Sequence, residues 1–344
     1  MTEASLRDNP EMPARDWMRI LSTYREPIHW RSIWEICVTA VPFVAFLSLA
    51  WMLWGVSPWL ALLLTVPSAA FLVRLFLIQH DCGHGAFFRS KTANDWVGRV
   101  IGVLTLTPYN VWRKCHAIHH AGSGNLDERG IGDIHTATVK EYQAMSRWGK
   151  FRYRIYRHPI TLFALAPAYL YFFQNRLPVG LMREGKTYWI SAMGTNITIA
   201  VVFALMIWWV GAWAFLLVYL TTVYIAAAIG MWLFYVQHQF EDTHWDEGEE
   251  WQVHDAALHG SSHYDLPRWM AWMTANIGIH HVHHLYSKIP FYRLKQVLKD
   301  HPALNDDAQR LTLMESFRCV KLQLWDEANR RLVSYRDARM LAAA

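Results

Sequence analysis

Three apolar runs carry almost no charge, and they restrict the fold more than any other feature. Residues 36–56 hold no charged side chain, residues 59–79 hold one, Arg74, and residues 188–238 hold no Asp, Glu, Lys or Arg. A helix of about 21 residues rising 1.5 Å per residue is about 31 Å long, enough to cross a hydrocarbon core of about 30 Å. The third run is too long for one crossing and suits two, at 188–210 and 212–236, broken at Gly211. Ser57-Pro58 reads as a tight link between the first two spans. The alternative is a set of buried helices in a soluble protein, but two hairpins of this length without charges are rare there. Composition agrees: 53% of residues are hydrophobic and only 18% are charged, against a usual ~25%, which excludes a disordered, collagen-like or disulfide-scaffold chain. A mean hydropathy of only +0.06 requires a large polar part outside the lipid.

Charge placement orients the spans. Of 33 Lys and Arg, only Arg74 lies within them. The others fall in the N-terminal arm (residues 1–35), the middle segment (80–187) and the C-terminal segment (239–344). An excess of cations marks the cytoplasmic side, so these three segments are expected inside and the hairpin tips outside. Shorter apolar stretches at 96–112, 160–173 and 269–279 read as helices lying in the membrane interface. Arg147, Lys150, Arg152, Arg154 and Arg157 directly precede the second of these, a pattern that pins a helix to an anionic surface. A docking patch for an acidic electron donor is the other reading of that run. The four cysteines are scattered and are expected to be reduced.

The chain has 18 histidines, and half of them follow a pattern. His80 and His84 stand four apart at the end of the second span. His116, His119 and His120 form one cluster, and His280, His283 and His284 another. Spacings of three and four put side chains on one helical face, and imidazole suits iron, zinc, copper and nickel. Eight such rings exceed the needs of one tetrahedral zinc or one haem, and the count fits a two-metal site. His238 is a ninth candidate, because the end of the fourth span places it at the membrane depth of His80. His281 is turned about 100° from His280 on a helix, so it is expected to support a neighbour. His244, His254, His259 and His263 read as structural. Carboxylate-bridged metal bundles need inward Glu-x-x-His pairs; the two formal matches here are broken by Pro27 or lie in an acidic run. The zinc-protease pattern His-Glu-x-x-His is missing.

These boxes, HxxxH, HxxHH and HxxHH between paired spans, resemble those of the membrane fatty acid desaturases. The segments PYNVWRKCHAIHH, GSGNLDERGIGDIHT, FYVQHQFEDTHW and HHLYSKIPFYRL are similar to acyl-lipid desaturases acting at the Δ12 or omega-6 position. The similarity covers about residues 36–300, and residues 301–344 read as a cytoplasmic tail. The resemblance implies an all-α integral membrane enzyme: four transmembrane helices in two hairpins, with a cytoplasmic helical cap holding a His-rich di-iron site. The family's ligand positions fall on His80, His84, His116, His119, His120, His280, His283 and His284. His238 matches a further ligand position of related acyl-CoA desaturases only loosely, since Phe234 stands where those enzymes carry an Asn. Asp81, inside the first box, is expected to hydrogen-bond a ligand imidazole.

The implied reaction is O2-dependent insertion of a cis double bond into a lipid-linked acyl chain. An unactivated methylene needs an oxidant that side chains lack, and two irons with O2 and two external electrons supply it. The electrons are expected from a ferredoxin and its reductase, or from a cytochrome b5-like donor. A bacterial inner membrane, with the site on its cytoplasmic side, is the expected location. Nucleic acid is not an expected partner, because the cations flank spans and form no groove with stacking aromatics. Hydroxylation, acetylenation or ketolation of a lipid would use the same scaffold. A bis-His haem carrier or a metal transporter is the reading from a different class, but a transporter would place ionisable groups in several spans.

Overall fold

The computed structural model describes residues 14–306 and 309–341; residues 1–13, 307, 308 and 342–344 lie outside the described residues. Helix α1 (His29–Trp54) and helix α2 (Pro58–His84) form the first hairpin. Both run further toward the polar side than the apolar runs predict, α1 starting at His29 and α2 ending at His84. Ser57 starts the second crossing, its Oγ accepting from the Leu60 N–H with Pro58 at the first helical position, where a missing N–H costs nothing. At the other end Gly85 takes φ +68°. The Gly85 and Ala86 N–H groups close back onto the carbonyls of Cys82 and Asp81, so the helix stops at the last residue of the first histidine box.

Helices α3 (Lys91–Leu104) and α4 (Tyr109–Gly122) follow on the polar side. Residues 96–112 are therefore not one interfacial helix: they reverse at residues 105–108, with Leu106 at φ +54°. The two helices cross closely because Gly98 has no side chain; a Cβ there would lie 2.2 Å from the Tyr109 ring. The Tyr109 hydroxyl in turn donates to the Cys82 carbonyl at 2.9 Å, fixing α4 against the end of α2. Helix α5 (Arg147–Tyr156) precedes a helical stretch at 161–173 that contains two π-helical segments. That stretch leaves Leu165, Tyr169 and Phe173 exposed and is too short to cross.

Helices α6 (Lys186–Val210) and α7 (Ala212–His238) make the second hairpin, turning at Gly211, whose φ is +86°. The spans are unequal in burial. Helix α2 is central, packed against α1, α3 and α7. Helix α6 is outermost, burying only Ala192 and Ile199, while Ile190, Ile197, Val201 and Leu205 face outward. An exposed apolar face of that length belongs in lipid. Trp59, Trp208, Trp209 and Trp213 stand exposed at the two hairpin tips, where tryptophan marks the membrane interface.

Among the described residues, the remaining cap includes α8 (Arg268–Met273), α9 (His280–Leu285) and α10 (Leu294–Asp300), further short helices and five short strands. Only the first half of the expected interfacial helix at 269–279 is helical; Ala275 and Asn276 then take positive φ values of 49° and 54°. Strand β1 (Ala137–Thr138) pairs in parallel with β4 (Leu324–Asp326), which pairs antiparallel with β5 (Arg331–Val333). Strand β2 (His263–Asp265) pairs in parallel with β3 (Arg310–Thr312). The cap is thus helical with two small sheets. Residues 301–344 supply three of the five strands, so this segment is woven into the cap.

Candidate metal centre

Four elements bring nine imidazoles together. His80 and His84 lie on the last turn of α2, His116, His119 and His120 on α4, His238 at the end of α7, and His280, His283 and His284 on α9. They sort into two groups, His80, His84, His116, His120 and His283 in one, and His119, His238, His280 and His284 in the other; within each group the candidate ligand atoms lie within 4.8 Å of one another. The Nε2 atoms of His84, His116, His120 and His283 follow one another at 3.1 Å. In the second group, His238 Nε2 lies 3.1 Å from His119 Nε2 and 3.0 Å from His280 Nε2.

The donor set fits a cation. A neutral imidazole has one N–H, which serves one contact, so converging rings left to themselves face lone pair to lone pair. His284 has both ring nitrogens buried without a hydrogen-bond partner, and His280 has its Nδ1 so. Two nitrogens about 2.1 Å from one ion and at right angles lie about 3.0 Å apart, which is the spacing found. Burial, aided by the neighbouring imidazoles, holds His116, His120, His280, His283 and His284 well below the ordinary histidine value. These rings are neutral at physiological pH, the form that binds metal.

The far side of several rings is anchored. Asp133 Oδ1 lies 2.5 Å from His119 Nδ1, and the Gly260 carbonyl lies 3.3 Å from His238 Nδ1. Asp81 Oδ1 is 3.4 Å from His80 Nδ1, and Oδ2 accepts the Phe291 N–H at 2.7 Å. Trp112 stacks on His116 with centroids 4.7 Å apart, and Phe234 packs on both His119 and His238. His281 belongs to neither group and packs beside His263, 5.7 Å away. His244 pairs with Asp246 at 2.6 Å, away from the centre.

Sequence reasoning misses Asp133, whose only signal is its place in GSGNLDERGIGDIHT. It also misses the partner of Arg74. Glu35 falls one residue before the expected first span, yet it lies inside α1, with Oε2 2.5 Å from Arg74 Nη2. Arg74 also donates to Thr39 Oγ1 and to the Trp272 carbonyl, and its guanidinium stacks on the Trp272 ring at 4.1 Å. Both charges are 1% exposed. The basic run is also corrected in part. Arg157 faces no membrane surface: it is buried and donates to Gln239 Oε1 at 2.7 Å and Thr136 Oγ1 at 3.1 Å.

A cavity of about 350 Å³ adjoins the histidines, bounded by His80, His116 and His280 and walled by apolar residues including Phe76, Leu77, Tyr171 and Met231. Gly130 and Asp133 line this cavity and also an open surface groove of about 990 Å³, whose other walls include Trp148, Phe151, Arg152 and Ile155 of α5. One polar loop therefore separates a wide outer groove from an apolar chamber beside the imidazoles.

The comparisons with known proteins agree with this geometry. The fatty acid desaturase family profile matches residues 57–314. A Bacillus subtilis protein described as a fatty acid desaturase is 42% identical over 317 residues, covering 92% of this chain and 89% of the relative. A Synechocystis sn-1 acyl-lipid omega-3 desaturase (ferredoxin) is 29% identical, covering 64% of this chain and 62% of its own. An sn-1 oleoyl-lipid 12-desaturase of Arthrospira platensis is 24% identical, covering 80% of this chain and 78% of its own. With its profile match spanning most of the sequence, and with four apolar helices that can span a membrane beside clustered imidazoles, the chain belongs to the fatty acid desaturase family.

Proposed function

We propose that the protein inserts a cis double bond, at the Δ12 or omega-6 position, into an acyl chain carried by a membrane lipid. The observation that carries this reading is the apolar chamber opening directly onto both histidine groups. The five-ring group and the four-ring group would each hold one iron, and the pair would supply the O2-dependent oxidation that side chains cannot. His238 completes the second group, and Asp133 and Asp81 orient the rings of His119 and His80.

The residues divide the remaining work. Phe76, Leu77 and Met231 give the acyl chain a water-excluding bed and hold one methylene pair near His80 and His280. Such fixed placement lowers the barrier by removing rotational freedom beforehand. The headgroup stays in the outer groove, where Arg152 meets phosphate and Trp148, Phe151 and Ile155 meet the upper acyl segment. The names of the cyanobacterial relatives support a glycerolipid carrier and a ferredoxin donor. The Arthrospira relative supports Δ12, and the omega-3 name of the Synechocystis relative marks the neighbouring alternative. The cation-free hairpin tips support a cytoplasmic centre in a bacterial inner membrane.

The test is expression, with a working ferredoxin and reductase, in a host that makes only saturated and monounsaturated lipids. Intact lipids and fatty acids are then profiled against a His119→Ala/His283→Ala chain. Dienes with a new Δ12 bond are expected from the native chain alone. Dienes lacking that bond would reassign the position, a product that gains oxygen would replace desaturation by hydroxylation, and no new species would sink the reading.

A further inference from the structure

A second cavity, of about 320 Å³, lies behind the third histidine box, bounded by β2, α8, α10 and residues 274–279. Arg268 and Lys295 line it, both exposed, and neither forms an ion pair with a described residue. Asp265 also lines it but is paired with Arg310, which neutralises its charge. Deeper in, His263 Nδ1 and Asn276 Oδ1 are buried without a hydrogen-bond partner. Such atoms cost about 1–3 kcal/mol each when left unpaired. The cavity therefore calls for an occupant that is anionic at the mouth and carries hydrogen-bond donors further in.

The position of α8 says where that occupant comes from. Arg74 ties α8 to α2 through the Trp272 carbonyl. Arg74 stands five residues inside the polar end of the apolar run 59–79, about 7.5 Å along the axis, so α8 lies near the boundary between hydrocarbon and headgroups. Trp269, on α8, is 69% exposed, as suits that boundary. We propose that this cavity binds the headgroup of an anionic glycerolipid of the phosphatidylglycerol class. The phosphate lies between Arg268 and Lys295, a charge-assisted arrangement, and the free hydroxyls meet Asn276 Oδ1 and His263. A choline headgroup offers neither hydroxyl nor net negative charge.

The site is coupled to the metal centre through one loop. The Tyr264 N–H donates to the Gly278 carbonyl at 2.7 Å, and a Cβ on Gly278 would fall 2.4 Å from the Tyr264 carbonyl. Gly278 and Ile279 line this cavity, while Ile277 and His280 line the chamber beside the histidines. A bound lipid thus braces the segment that delivers His280. This site is distinct from the substrate groove along α5, and its occupancy is read without turnover.

The test uses the purified full-length protein in phosphatidylcholine nanodiscs that contain a photoreactive phosphatidylglycerol, with labelled peptides identified by mass spectrometry. Label is expected in residues 263–279 and 294–298, displaced by unlabelled phosphatidylglycerol and not by added phosphatidylcholine. In the Arg268→Gln/Lys295→Gln protein, labelling of those peptides should fall about tenfold, equivalent to about 1.4 kcal/mol, while label along α5 is retained. Equal labelling of the double variant, or equal displacement by phosphatidylcholine, would overturn the proposal. Displacement by glycerol phosphate at the same concentration as the lipid would overturn a lipid as the source of the headgroup.

Discussion

The two histidine groups draw on the same helices but in opposite proportions. Helix α4 gives its i,i+4 pair, His116 and His120, to the five-ring group and His119 alone to the other. Helix α9 carries the same HxxHH spacing and does the reverse: His280 and His284 join the four-ring group, and His283 alone joins the five. Two helices with one motif thus face each other so that each pair meets the other's single ring. The remainder differs. Helix α2 adds a full i,i+4 pair to the first group, whereas α7 adds only His238 to the second. Burial differs in the same direction, since three rings of the first group are half-buried and all four of the second are buried. The second group has fewer rings and more support, with Asp133 behind His119 and the Gly260 carbonyl behind His238. A group assembled from single residues on separate elements needs its neighbours to hold each ring in place.

The largest test of that contrast removes one ring from each group. His84→Ala and His238→Ala are each expected to abolish desaturation, and with one iron per group, as proposed, each should lower iron from about two ions per chain to about one by emptying its own group. Iron analysis of purified protein beside lipid profiling reads both. A His238→Ala protein that keeps both ions would break the comparison, because three rings would then suffice in the second group.

The next effect should strike both groups equally. Arg74 and Glu35 tie α1, α2 and the Trp272 loop together, and Arg74 also lies over the Phe291 ring, whose backbone N–H binds Asp81. Breaking a buried pair by removing one partner costs about 3–5 kcal/mol, and the lower end of that range applies here because Glu35 keeps Arg31 at 2.7 Å. Arg74→Met is therefore expected to lose about that much stability in a denaturant titration. The Arg74→Met/Glu35→Gln protein should recover a good part of it. Equal stability of the single and double variants would show that the pair contributes by packing alone.

That pair also shows where the sequence stops being legible. The spans can be read from residues 36–79 and 188–238 because the absence of charge is a local property. The boxes can be read because three- and four-residue spacings fix a helical face without reference to the rest of the fold. His238 is legible only through topology, by matching the depth of His80. Asp133 stands fourteen residues from the ring it orients, and Glu35 and Arg74 meet across two helices. No periodicity connects such partners. Strands of two or three residues, like β1 and β4, are too short to show alternation, so a purely helical cap is the natural reading of a cap that holds two small sheets.

Asp133 and Asp81 offer a finer comparison between the groups. Each reaches the Nδ1 of a grouped histidine, but at 2.5 Å and 3.4 Å respectively. Loss of such a partner usually lowers metal affinity or activity 10–100-fold. Asp133→Asn should fall in that range and empty the four-ring group first under chelator challenge. Asp81→Asn should have the smaller effect on metal retention, since its shorter bond is to the Phe291 N–H and an amide oxygen can keep it. Equal sensitivity of the two variants would mean that the support behind the rings does not distinguish the groups.

The smallest expected effect concerns the histidine that stands among the grouped histidines without joining them. His281 is fully buried and burial pushes its ring down to about 3, against an unfolded value of about 6.5. Between those values the unfolded chain binds a proton that the folded chain refuses, so stability must rise with pH and fall as pH drops below about 6.5. One such ring contributes about 1.4 kcal/mol per pH unit over that window. His281→Phe keeps a ring of similar size and is expected to flatten the stability profile between about pH 6.5 and 5 by that slope, with iron content unchanged. The same substitution at His280, His283 or His284 should instead remove iron. If His281→Phe lost iron, the residue would belong to one of the groups; if it left the pH slope untouched, its ring would be open to protonation in the folded protein. The two readouts together separate a buried neutral histidine from a proposed ligand one residue away.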